Sequence, residues 1–114
     1  MGIFLLVNAS ACAQLFKTNM LVTVLDEQGN VQRGATVKIY ETEEDFDEDK
    51  NAVATMNTDE KGQAKFKKLK SQSYYILAEK GEMTNEDGAT QTGALAEKKT
   101  NKVNVIIEGL PDLN

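Results

Sequence analysis

Seven carboxylates crowd into nine residues: Glu41, Glu43, Glu44, Asp45, Asp47, Glu48 and Asp49. Within them Asp45-Phe46-Asp47-Glu48-Asp49 alternates its acids as the opening of a calcium loop does, because a hard cation takes oxygen ligands from alternate positions. That loop also needs Gly at its sixth position and Glu at its twelfth, and Lys50 and Met56 stand there instead. Asp45, Asp47 and Asp49 are therefore candidate calcium ligands that need help from a second loop, with Asn85, Glu86 and Asp87 as the residues to supply it. Crowded like charges repel, so a cation would relieve strain. The plainer reading is a solvated loop that keeps the protein soluble and guards a sheet edge.

Removing these seven acids turns a net charge of −5 into +2 for the rest of the chain, where Lys61, Lys65, Lys67, Lys68 and Lys70 form the opposite cluster. No aromatic residue is interleaved with these lysines to stack on bases, and the chain as a whole is acidic, so nucleic acid is not expected as a partner. Histidine is absent from all 114 residues and cysteine occurs once. That removes Ser-His-Asp and Cys-His catalysis, the commonest zinc ligand, thiolate zinc clusters and any internal disulfide. A carboxylate pair of the glycosidase kind remains formally available, but a domain this small offers no evident cleft for it. The expectation is a protein that is not an enzyme and has no cofactor, calcium apart.

The single cysteine sits in an informative place. Ile3-Phe4-Leu5-Leu6-Val7 is a short apolar run followed by small residues, with no charge before Lys17. A small-residue cleavage region after an apolar stretch marks a secretory signal, here with a short middle and no basic start. The run is too short to span a bilayer, which takes about 20 apolar residues. Ala9-Ser10-Ala11-Cys12 resembles a bacterial lipobox, in which the cysteine is acylated and becomes the new N-terminus, although Ala9 replaces the usual Leu. Ala11-Cys12-Ala13 before Gln14 resembles an ordinary cleavage site that would discard the cysteine. Cys12 is thus the candidate lipidation site, with plain secretion as the alternative.

From residue 20 the apolar residues recur with period two, the signature of half-buried strands. Met20, Val22 and Val24 alternate with Leu21, Thr23 and Leu25; Ala35, Val37 and Ile39 with Thr36 and Lys38; Ala64 and Phe66 with Lys65 and Lys67; Val103, Val105 and Ile107 with Asn104 and Ile106. Val53–Met56 is a shorter strand, and Tyr74–Ala78 is apolar on both faces, as a central strand would be. Thr90–Leu95 is a weak seventh. No amphipathic helix is evident. Strands at this spacing, separated by turns, predict an all-β sandwich. Residues 80–102 form the longest irregular stretch and are the expected contact surface.

Three motifs sharpen this. Asp26-Glu27-Gln28-Gly29-Asn30-Val31 leading to Gly34-Ala35-Thr36-Val37 reads like the V-x-D-x-x-G-x-P-V-x-G-A-x-V opening of carboxypeptidase regulatory-like domains, without the proline. Thr58-Asp59-Glu60-Lys61-Gly62-Gln63-Ala64-Lys65-Phe66 before Leu69 matches their T-D-x-x-G-x-x-x-F-x-x-L turn, and Tyr74–Glu79 resembles the Y-x-L-x-A strand. The resemblance spans about residues 20–108. It implies a transthyretin-like (prealbumin-like), seven-stranded Greek-key sandwich and a non-catalytic scaffold or docking role. Transthyretin-like hydrolases of purine breakdown need histidines and a C-terminal Y-R-G-S that this chain lacks. Collagen-adhesin B-type domains join a first-strand lysine to an asparagine beside a buried acid. Glu79 and Asn101 or Asn104 suit that pattern, but Met20–Leu25 contains no lysine, Lys17 is too early and Lys38 is on the next strand.

The expected organisation is a signal-peptide remnant at 1–13 (ending at 11 if Cys12 is lipidated), a linker at 14–19, the sandwich at 20–108 and a tail at 109–114. The expected function is a secreted or lipid-anchored bacterial envelope module that binds or scaffolds a larger protein complex. It would sit in the periplasm, on the outer membrane or outside the cell. The alternative is a calcium-dependent adhesion or matrix module built on 41–49.

Overall fold

The computed structural model describes residues 17–88 and 90–109. Cys12, the 1–13 segment and most of the C-terminal tail therefore lie outside the described residues. Among the described residues seven strands form two sheets: β1 (Asn19–Leu25), β2 (Thr36–Tyr40), β3 (Ala54–Asn57), β4 (Gln63–Phe66), β5 (Tyr75–Lys80), β6 (Met83–Thr84) and β7 (Thr100–Ile106). One sheet has the order β4-β1-β7 and the other β3-β2-β5-β6. The chain crosses between sheets after β1, β3, β4 and β6. All ladders are antiparallel except β1–β7, which runs parallel over seven residue pairs.

Period two explains the core. Met20, Val22 and Val24 of β1, Val37 and Ile39 of β2, Ala64 and Phe66 of β4, Ile76 and Ala78 of β5 and Val105 of β7 are all buried between the sheets, with Ala35, Tyr74, Leu95 and Ile107 alongside. Lys65 and Lys67 are exposed beside the buried Ala64 and Phe66, as the alternation predicts.

The two Asp-x-x-Gly motifs build the same turn twice. The Asp26 carboxylate accepts the Gln28 and Asn30 amides, each at 2.9 Å, and the Asp59 carboxylate accepts those of Lys61 and Gln63, each at 2.9 Å. Gly29 (φ 88°) and Gly62 (φ 72°) supply the left-handed step, which an L-residue adopts only at a cost. These amide bonds favour the charged form of Asp26 and hold its carboxyl below the ordinary value. Thr58 ties the neighbouring crossing together: its hydroxyl accepts from Ala35 N–H at 2.9 Å and donates to the Gln32 carbonyl at 2.6 Å.

Three expectations are corrected. The acidic segment contains a helix, α1 (Glu43–Glu48), rather than an open loop. The Thr42 hydroxyl caps it by accepting from Asp45 N–H, and the acids of its first turn lie where the helix dipole favours negative charge. Thr90–Leu95 is not a strand. It is extended chain, held to the start of β5 by bonds from Ile76 N–H to Thr90 O (2.7 Å) and Thr92 N–H to Tyr74 O (2.8 Å). The seventh strand is instead the two-residue β6. It follows Gly81 in a hairpin with β5, and its Thr84 exchanges two backbone hydrogen bonds with Glu108 beyond β7. That exchange stitches one side of the sandwich shut.

Candidate functional site

Helix α1 lies on the outer face of the β2–β5 pair. Side chains at alternate positions of a strand share a face, so Lys38 and Tyr40 of β2 and Tyr75 and Leu77 of β5 turn away from the core. Tyr40 is nevertheless fully buried and Leu77 is only 3% exposed, because Phe46 of α1 covers this face. Its ring meets Tyr40 edge-on at 5.8 Å and Tyr75 at 6.2 Å. The apolar double face of β5 thus has a cause: one side fills the sandwich and the other seats the helix.

The helix ends at Asp49, in the left-handed conformation at φ 49°. Its carboxylate accepts from the Tyr40 hydroxyl and from Lys38 Nζ, the latter at 3.1 Å. These partners hold the Asp49 carboxyl below the ordinary value, while burial and then the adjacent carboxylate push Tyr40 upward.

The three candidate calcium ligands are therefore divided. Asp45 accepts from the Asn51 side-chain amide at 3.2 Å, Asp49 serves Lys38 and Tyr40, and Asp47 is left on a groove of about 230 Å³. Asp49, Glu79, Glu86 and Asp87 also line that groove. No three carboxylates among the described residues are gathered closely enough to hold one metal ion. Asn85 does not join them. It is buried, and its side chain bonds to the backbone of β5. Of the residues considered for an adhesin-type crosslink, Lys38 is paired with Asp49, and the Asn101 amide donates to the Asn19 and Ala96 carbonyls.

A second groove, of about 510 Å³, runs between the 92–95 segment and the outer edge of β7; it falls largely in the 80–102 stretch expected to be irregular, of which Lys80, 83–84 and 100–102 are in fact strand. Gly93, Ala94 and Leu95 form one wall; Lys99, Lys102 and Val103 belong to the other. It is continued, much narrowed, between Thr90–Thr92 and Val103–Val105. No pattern along the chain announces this groove, because it arises from tertiary placement of an extended segment beside a sheet edge.

No protein-family model matches the chain, and no curated protein matches it. Among solved structures it is similar to the pilus 2b backbone protein of group B streptococcus, at 14% identity over 85% of this chain and 43% of that one, with a TM-score of 0.62. It is equally similar to a Streptococcal ancillary pilin, at 15% identity over 84% of this chain and 33% of that one, TM-score 0.62. A point mutant of the catechol 1,2 dioxygenase of Acinetobacter radioresistens also matches, at 13% identity over 84% and 53% and a TM-score of 0.53. The chain spans about half or less of the length of each. The likeness is one of fold. A fold that serves pilus subunits and an enzyme alike leaves function to be argued from the sites.

Proposed function

We propose that this chain is a non-enzymatic bacterial surface module of transthyretin-like, carboxypeptidase-regulatory-like architecture that docks onto or scaffolds a larger protein assembly of the cell envelope. The observation that carries the reading is the shared fold with backbone and ancillary pilins, which are subunits of pili, over more than four-fifths of the chain. The N-terminal sequence supports export, with acylation of Cys12 anchoring the domain or cleavage before Gln14 releasing it. The test is the intact mass and fractionation of the protein expressed from its full native gene. A species beginning at an acylated Cys12 in the membrane fraction, or at Gln14 outside the cytoplasm, is the expected result. A plain chain from Met1 in the cytoplasm overturns the reading.

A second reading makes the acidic segment a calcium-dependent adhesion surface. The groove that brings Asp47 and Asp49 of one segment alongside Glu86 and Asp87 of another favours it; the division of Asp45, Asp47 and Asp49 among separate partners weighs against it. If it holds, calcium raises the melting temperature beyond a sodium control of equal ionic strength, and neutralising Asp45, Asp47 and Asp49 removes the rise. An unmoved curve ends it.

A further inference from the structure

Strand β7 is an edge strand whose inner side is taken by β1 and whose outer side borders the larger groove. Ile107 N–H donates to Leu25 O at 2.8 Å, and Lys99 O accepts from Asn19 N–H at 2.9 Å. Odd-numbered residues therefore turn their peptide groups toward β1. By the alternation of a strand, Lys102, Asn104 and Ile106 aim their N–H and C=O groups outward. The next outward residue, Glu108, already shows what this edge accepts: it exchanges two backbone bonds with Thr84 in antiparallel geometry, at 2.9 and 3.0 Å. The opposite wall is firm, since the 90–95 segment is bonded to β5 and to Gln72 O (from Leu95 N–H, 3.2 Å). At Gly93 a side chain would meet nothing within 4 Å.

We infer that this edge is a β-augmentation site for an extended segment of a partner protein in which acidic and apolar residues alternate. The inference rests on the docking role proposed above and names its surface and partner chemistry. An added strand gains main-chain hydrogen bonds from the three outward peptide groups, while its side chains alternate between two environments. Lys102 lies on the outer face of its sheet, in register with Leu21 and, across β1, with Lys65. Carboxylates on that side of the incoming strand meet Lys102, and Lys99 adds a second positive charge to the groove wall. The other side meets Val103 and Leu95, where short apolar side chains fit. Among the described residues no acidic side chain lines the groove, so the charge preference has one sign.

The test uses a labelled nonapeptide alternating Val and Glu, its Lys-for-Glu counterpart and fluorescence anisotropy. The Val–Glu peptide is expected to bind, and the Lys counterpart to bind at least about tenfold more weakly. Lys102→Glu should weaken the Val–Glu peptide by a similar factor. Asn104→Pro removes an outward donor at an edge position where proline is tolerated, and should abolish binding. Amide exchange separates strand addition from charge attraction alone: the Lys102, Asn104 and Ile106 amides become protected only if a strand forms. Absence of binding at about 1 mM peptide, equal binding of the two peptides, or binding without protection of these amides overturns the inference. Should Asn104→Pro fail to fold, Lys102→Glu and the exchange data still decide. A failed peptide experiment with an envelope-located protein leaves the docking role intact on another face, whereas a cytoplasmic protein removes that role whatever the peptide does.

Discussion

The side chain of Asn85 stands in for a length of strand beside Ala78. Its Oδ1 accepts from Ala78 N–H at 2.9 Å and its Nδ2 donates to the Ile76 carbonyl at 2.8 Å. β6 pairs with β5 at Glu79 and Lys80, and the 90–92 segment with its beginning. Between them a single buried amide continues the ladder.

Asn85→Ala should accordingly cost about 2–4 kcal/mol, because it leaves a buried donor and a buried acceptor of β5 without these partners. Asn85→Asp sets a buried carboxylate against the Ile76 carbonyl, so at neutral pH it should cost at least as much as alanine. Chemical denaturation midpoints at constant slope check the order; an alanine variant as stable as wild type would show that water replaces the amide.

The Tyr40–Asp49 bond gives stability two pH limits. Asp49 is depressed in the folded protein, so its contribution is present above the unfolded carboxyl value of about 3.9 and is lost as pH falls through the lower folded value. Tyr40 is raised, so its contribution is present below about pH 10 and is lost as pH rises through the folded value. Asp49→Asn should flatten the acid limb of a melting-temperature profile. Ultraviolet titration of the folded protein should show Tyr40 still protonated above about pH 10, and the Asp49→Asn variant should lower its titration point.

Phe46→Ala removes the ring that seats α1 on β2 and β5. A loss of about 1–3 kcal/mol is expected for this partly buried aromatic. The damage should be local: amides of Phe46 and Asp49 exchange faster while those of β1 keep their protection. Equal loss of protection across both sheets would mean that the helix is part of one cooperative unit with the sandwich.

The two turn glycines should respond unequally to alanine. Both have positive φ, which costs an L-residue about 1–2 kcal/mol. A Cβ at Gly29 meets nothing within 4 Å, whereas at Gly62 it comes within 2.9 Å of the Val31 Cβ and 3.1 Å of the Val24 carbonyl oxygen. Gly62→Ala should therefore unfold at clearly lower denaturant than Gly29→Ala. Equal midpoints would show that the backbone there yields freely.

What the residues disclosed in advance follows from how far each signal reaches. Period-two alternation over five or more residues marked β1, β2 and β7, and Asp-x-x-Gly spacing marked both turns, since each Asp bonds within its own five residues. Helix α1 is six residues long, too short for a periodic apolar stripe. Its one local sign was the spacing of Thr42 to Asp45, a capping pattern, masked by acids that read equally well as a solvated loop. Thr90–Leu95 had the composition of a strand but not the space, because β6 and Asn85 already occupy the rest of that edge of β5. Grooves depend on which edges end up adjacent, and nothing in a linear pattern reports that.

The parallel pairing of β1 with β7 has a mechanical consequence. Asn19 and Thr100 share one end of the ladder, Leu25 and Ile106 the other. A pull on the chain ahead of Asn19, opposed by a pull on the chain beyond Ile107, acts along the two strands in opposite senses. Its line of action runs the length of the ladder, roughly 20 Å at strand rise. Such a load shears all the rungs together instead of peeling them one at a time, so tension is shared across seven residue pairs. A force applied in this sense is resisted along the direction in which the two strands run.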